Sequence, residues 1–164
     1  MTIPTPSTRV RSTRAAHRTV ERSSHPSAGT SWASTPAIRK TMQGCRSRDT
    51  VPEVALWSAV HSLGLRFFVN RRPIPGMRLT ADLVFPTHRV AVFMDGCFWH
   101  GCPDHYDMPV RNAAFWRTKI NSNRARDRKV DGLLASHGWR VVRIWEHVPP
   151  SEAAERVYRV IAED

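Results

Sequence analysis

The chain has 164 residues, 41% of them hydrophobic, enough for one compact domain with residues to spare. Its 25 Lys and Arg outweigh 14 Asp and Glu, and the net charge of +11 favours a polyanionic partner, nucleic acid first among them. The absence of any apolar run of about 18 residues argues against a membrane-spanning helix, and the N-terminus has no apolar signal-peptide core, so a cytoplasmic protein without a membrane partner is expected.

Residues 1–36 carry Arg9, Arg11, Arg14, Arg18 and Arg22 against the single Glu21, amid Ser, Thr and Pro. Such a segment cannot bury enough apolar surface to fold alone, and a disordered basic arm is expected there, either a solvated tail or a DNA-grasping one. The folded domain is expected over 37–164, with order beginning near Ile38. Thr50, Val51, Pro52 and Glu53 read as a capping box, in which Thr50 caps the first turn and Glu53 reaches back. Leu56, Val60 and Leu63 follow on one helical face, and Gly64 stops the helix. Leu65–Val69 reads as a short strand.

Leu79, Ala81, Leu83 and Phe85 alternate along a second strand, with Asp82 on its opposite face. Residues Arg89–Met94 are nearly all apolar, the pattern of a central strand buried on both sides. An irregular stretch from Gly96 to about Asn112 precedes a long polar helix over Ala113–His137, which Gly138 ends. Trp139–Trp145 alternates as a further strand, and Ser151–Ile161 forms a closing amphipathic helix. Helix, three strands, helix, strand, helix is an α/β arrangement with helices packed on a sheet.

Two acids stand on neighbouring strands, Asp82 within one and Asp95 at the end of the next. Hard divalent cations take oxygen ligands, and a cation so held polarises a phosphate and acidifies water. His100, five residues beyond Asp95, has the ordinary basicity to take a proton from that water near neutral pH. Taken singly, Asp82 also fits an exposed strand residue, Asp95 a turn former before Gly96, and His100 a zinc ligand.

The three cysteines, Cys45, Cys97 and Cys102, are a poor disulfide framework. Cys97 and Cys102 with His105 and the distant His147 instead offer two sulfurs and two imidazoles, the donor set of a closed tetrahedral zinc site. Small buried hydrophobes are the alternative for both thiols. Phe98 and Trp99 sit in the same loop, where no core periodicity runs, and Trp116 opens the long helix. That helix also carries Arg117, Lys119, Arg124, Arg126, Arg128 and Lys129, which suit phosphate contacts or simply a solvated face. Asp127, an acid among these bases, is either a helix ion-pair partner or the group that orients His100.

The run Phe93-Met94-Asp95-Gly96-Cys97-Phe98-Trp99-His100-Gly101-Cys102-Pro103 resembles the signature of the very short patch repair (Vsr) endonucleases. So do Phe115-Trp116 with Lys119 and Asn123, Arg126-Asp127, Gly138-Trp139-Arg140-Val141 and Trp145-Glu146, over about residues 38–150. The resemblance implies a restriction-endonuclease-like mixed sheet flanked by helices, with a structural Zn2+ site. It also implies a monomeric enzyme that nicks double-stranded DNA 5′ to the T of a T:G mismatch, using catalytic Mg2+. Asp82 resembles the magnesium-binding aspartate, with the Met94 carbonyl as co-ligand, His100 the general base, Asp127 its partner, and Glu53 an acid linked to the site. Cys97, Cys102, His105 and His147 fall at the zinc positions. Phe98, Trp99 and Trp116 match aromatics that wedge into DNA, Met42 a residue inserted from the opposite groove, and Lys119 and Asn123 mismatch-reading groups.

This chain departs from the pattern in carrying Asp95 where some members have His, His147 where Cys is frequent, and a longer stretch between Asn70 and Asp82. Two other functions fit the same residues: a related site-specific or restriction-type nuclease with another target, and a zinc-stabilised DNA-binding module without catalysis. The acid pair favours an enzyme, because a pure binding module gains nothing from carboxylates facing an anionic backbone.

Overall fold

The computed structural model describes residues 49–163. Met42, Cys45 and the basic arm over 1–36 lie outside that range. Helix α1 spans Val51–Ser62, strand β1 Phe68–Arg71, β2 Ala81–Phe85 and β3 Val90–Asp95. A four-residue helix, α2, covers Cys97–His100, followed by α3 over Ala113–Ser136, β4 over Arg140–Trp145 and α4 over Pro150–Ala162.

The sheet order is β1-β2-β3-β4, with the first three strands antiparallel and β4 parallel to β3. A parallel neighbour needs a crossover, and α3 supplies it. One face of the sheet, carrying Leu83, Phe85, Val90, Val92 and Ile144, is covered by Leu56 and Val60 of α1 and by Ala153, Ala154, Val157 and Ile161 of α4. On the other face Val84 and Ala91 pack beneath Leu134 of α3. This two-sided cover makes β2 buried at both faces, where the alternation of its sequence suggested one. Each such fully buried aliphatic side chain contributes about 1.5–3 kcal/mol, so the α3 face is anchored by few residues and the opposite face by many.

Local details depart from the sequence reading in physical ways. Thr50 makes no bond to a helical N–H; its hydroxyl donates to Glu53 Oε1 at 2.9 Å, while Glu53 Oε2 accepts the Asp49 N–H at 2.9 Å. Half of the capping box is thus formed, one residue early. Leu63 is the C-cap and is 41% exposed, so it adds nothing to the core face of α1. The first strand begins at Phe68, not Leu65. Gly64 and Gly138 both take positive φ just past their helices and close them through bonds to His61 and Ala135 carbonyls. No helix among the described residues is long and apolar enough to cross a membrane.

Candidate active site and metal centre

The β2–β3 register sets Leu83 opposite Val92, so Asp82 lies level with Phe93 and on the face that α3 covers. A cleft of about 710 Å³ opens there, lined by Asp82, Asp95, His100, Arg126, Asp127 and Arg143 among others. Asp82 Oδ2 accepts the Met94 N–H at 2.7 Å. Burial pushes the Asp82 carboxyl up from 3.8 to about 6; the Met94 N–H opposes this, and the charges of Glu53 and Asp95 add to it. The Arg143 charge also opposes the rise without cancelling it, and oxygen donors of this kind fit a hard divalent ion.

His100 reaches the same cleft from the last position of α2. Its Nδ1 lies 2.6 Å from Asp127 Oδ2 and 3.5 Å from Asp95 Oδ1. A carboxylate on Nδ1 holds that nitrogen as the N–H and leaves the Nε2 lone pair as the basic one. Asp127 thus contacts His100 through one oxygen, while its other oxygen lies 3.4 Å from Nη2 of Arg126 on the same helix. Glu53 stays on α1, buried and bound to Asp49 and Thr50, and reaches Asp82 through its charge.

Asp95, His100 and Asp127 bring one ligand atom each to within 4.8 Å of one another, and Asp95 also meets a cation of the chain itself. Both of its oxygens accept from Arg143 Nη1, at 2.7 and 3.0 Å. Burial pushes the Asp95 carboxyl up, and the Arg143 guanidinium opposes that as the charge-assisted partner. Burial likewise pulls Arg143 down, but Asp131 and Asp95 outweigh it and hold it above its ordinary value. Neither Arg143 nor Asp131 stood out in the sequence, although the alternation of β4 places Arg143 on the α3 face, beside Phe93.

The stretch after Gly96 was expected to be irregular, and α2 forms within it. Its first N–H, at Cys97, donates to Glu146 Oε1 at 2.6 Å. Its carbonyl end is held by α3: Asn123 Nδ2 donates to the Trp99 carbonyl at 2.7 Å, Arg124 Nε to the His100 carbonyl at 3.0 Å, and Arg124 Nη2 to that of Gly101. Carbonyls left open at a helix end are thereby satisfied by side chains. Gly101 takes φ +66°, and a Cβ there would meet Arg124 and Ile120 side-chain atoms at 2.7 Å. Only glycine fits that turn. Asn123 is 8% exposed, so its amide serves this frame directly.

At the opposite end of α2, Cys97, Cys102, His105 and His147 bring one donor atom each to within 4.8 Å of one another. Cys97 Sγ lies 3.1 Å from His147 Nδ1, and Cys102 Sγ lies 3.7 Å from His147 Nδ1 and 3.8 Å from His105 Nδ1. Zinc bonds of about 2.3 Å to sulfur and about 2.0 Å to nitrogen give tetrahedral edges near these lengths. Burial and then the neighbouring Cys102 push the Cys97 thiol up to about 11, a burden that a coordinated cation removes. Donor type, number and spacing all fit zinc.

Phe98 meets Trp99 and Trp116 edge to face and the two indoles are tilted to each other, with ring centroids 4.9 to 6.0 Å apart. Trp116 is only 5% exposed, covered by the rings it touches. Phe115 is the outward one at 42%, and it shares a shallow depression with Trp99, Trp116 and Lys119.

Comparison with known proteins bears on these features. The profile described as DNA mismatch endonuclease Vsr matches residues 33–107. The type II nicking enzyme V.NaeI of Lentzea aerocolonigenes is 44% identical over 121 residues, 72% of each chain. The type II nicking enzyme V.XorIIP of Xanthomonas oryzae pv. oryzae is 43% identical over 109 residues, 66% of this chain and 78% of that one. The DNA mismatch endonuclease Vsr of Escherichia coli K12 is 36% identical over 108 residues, 65% of this chain and 67% of its own. Among solved structures, the catalytic domain of the homing endonuclease I-Bth0305I aligns over 70% of this chain and 90% of its own, at 15% identity and a TM-score of 0.38.

A mixed α/β fold with an acid-lined cleft, taken together with these relatives, defines the class as DNA endonuclease. Within that class, the chain belongs to the Vsr family of DNA mismatch endonucleases.

Proposed function

We propose that this protein nicks duplex DNA 5′ to the T of a T:G mismatch by magnesium-dependent hydrolysis, on a restriction-endonuclease-like core clasped by a structural zinc ion. The observation that carries the reading is the meeting of Asp82 and the Asp127-bound His100 in one cleft. Asp82 and the Met94 carbonyl would hold magnesium, which when bound supplies positive charge to the phosphate under attack. His100 Nε2 takes the proton from the attacking water, and Asp127 keeps the ring in the tautomer that can do so. Arg126, at the cleft rim, meets the phosphate backbone of the bound strand.

The zinc ion would be held by Cys97, Cys102, His105 and His147, joining α2 and the loop after it to the end of β4. Its ligation fixes the first residue of the helix whose last residue is His100. Phe98 and Trp99, backed by the buried Trp116 and with Lys119 beside them, form the surface that stacks against bases next to the mismatch, and Asn123 supports it through the Trp99 carbonyl. The relatives named type II nicking enzymes favour one further reading, a nick directed by another target.

End-labelled duplexes bearing T:G, matched C:G and the other mismatches, with and without magnesium, separate the readings. Strand cleavage confined to the T strand of T:G and dependent on magnesium is the expected result. Equal cleavage of matched duplex would sink the mismatch assignment, and no cleavage of any duplex would sink hydrolysis itself.

A further inference from the structure

Arg143 is paired with three acids, Asp95, Asp127 and Asp131, and the reaction as drawn above does not use it. It rises from β4 opposite Phe93, and its guanidinium lies 4.9 Å from that ring. Nη1 binds both oxygens of Asp95 on β3, Nε both oxygens of Asp131 on α3 at 3.0 and 3.1 Å, and Nη2 lies 3.0 Å from Asp131 and 3.7 Å from Asp127. One side chain thus ties β3, β4 and α3 together directly behind His100.

We propose that Arg143 is a positioning residue for strand cleavage, acting by holding Asp95 away from His100 so that Asp127 alone fixes the imidazole. The inference rests on the proposed role of His100 as the base. Two carboxylates stand near its Nδ1, Asp127 at 2.6 Å and Asp95 at 3.5 Å. Only one can receive the single Nδ1–H in good geometry. Arg143 Nη1 draws on both oxygens of Asp95 and holds that carboxylate at 3.5 Å from Nδ1, too long for a good hydrogen bond. Without it, Asp95 is a buried charge stripped of its guanidinium partner, and turning toward His100 is its nearest relief. The ring then swings between two acceptors, and Nε2 loses its aim at the attacking water.

A lysine cannot replace this group. Its single ammonium is a point charge, whereas the planar guanidinium meets Asp95 through Nη1 and Asp131 through the edge formed by Nε and Nη2. The role is therefore one of shape as well as charge, which sets it apart from general neutralisation of an acidic cleft.

The test compares single-turnover nicking and DNA affinity for wild type, R143M, R143K, D95N and R143M/D95N, with thermal unfolding of each. R143M is expected to slow the chemical step about 100-fold, as misplacement of a reacting group by about 1 Å does, with DNA affinity within about threefold of wild type. R143K, which keeps charge and length and so guards against a folding failure, is expected to lose about tenfold. The decisive arm is the double variant: removing the Asp95 charge is expected to restore at least about tenfold of the rate lost in R143M, a non-additivity that a merely structural arginine would not give. A rate for R143K and R143M within about threefold of wild type overturns the proposal. So does a loss confined to DNA affinity, or a double variant that is as slow as R143M or slower. An inert wild type would instead fail the endonuclease reading, so the two failures remain distinct.

Discussion

The two ends of α2 make opposite demands on the chain. Its first residue, Cys97, belongs to a cluster of two thiols and two imidazoles whose donors face one another. Its last, His100, belongs to a cleft of carboxylates that opens to solvent and to a substrate. Soft donors closing on a point suit an ion that stays and holds structure, while hard donors along an open wall suit an ion that works with a passing phosphate. Four residues connect the two, so rigidity at one end is delivered as aim at the other.

The comparison predicts that the ends fail differently. Asp82→Ala is expected to lower magnesium-dependent nicking by at least about 1,000-fold, while DNA binding without magnesium and zinc content stay as in wild type. Zinc lost together with activity would show the two ends to be one site. Cys97→Ser is expected to lose zinc, read by metal analysis, and to cost on the order of 4 kcal/mol or more of folding stability. A wild-type protein purified without zinc, or a Cys97→Ser variant that unfolds at the wild-type temperature, would break the structural half of the comparison.

Smaller effects sharpen it. His100→Ala should slow single-turnover cleavage by about 100-fold to 1,000-fold. Asp127→Asn, which keeps the shape but offers an amide to Nδ1, should fall short of that loss, and equal rates for Asp127→Asn and wild type would remove Asp127 from the reaction. The smallest effect is on stability. The folded Asp82 carboxyl titrates near 6 against 3.8 unfolded, so the native state prefers it protonated. Its contribution is fully present below about pH 4 and is lost as pH rises through 6, amounting to no more than about 3 kcal/mol. In chelator, Asp82→Asn should therefore unfold at a higher temperature than wild type at pH 7.5, with the gap closing toward pH 4. A gap that widens on acidification would contradict the burial of Asp82.

Much of this was legible in the residues. The unbroken apolar run Val90–Val92 declared a central strand, and Gly64 and Gly138 marked helix ends through backbone freedom alone. Asp82, Asp95 and His100 were visible because acids and imidazoles are rare near such strands. Other features depend on tertiary partners. The helix α2 is too short to have a period, and it exists because Glu146 binds its start while Asn123 and Arg124 bind its end. Arg143 looked like one more strand residue, since nothing local indicates that three acids from two other elements converge on it. The same holds for the partners of Asp95: it stands with His100 and Asp127, and the guanidinium that also binds it comes from a strand 48 residues further along. The burial of Trp116 beneath Phe98, Trp99 and Phe115 likewise comes from tertiary packing and has no local signal.

The central claim is that Asp82 and His100 act on one phosphate from one cleft. It is tested most directly by following a single T:G duplex with wild type, Asp82→Ala and His100→Ala, each with and without magnesium. The account predicts a nick by wild type with magnesium alone, with both variants bound to the duplex but defective in cutting it. Cleavage by Asp82→Ala at the wild-type rate, or by wild type in chelator, would contradict it.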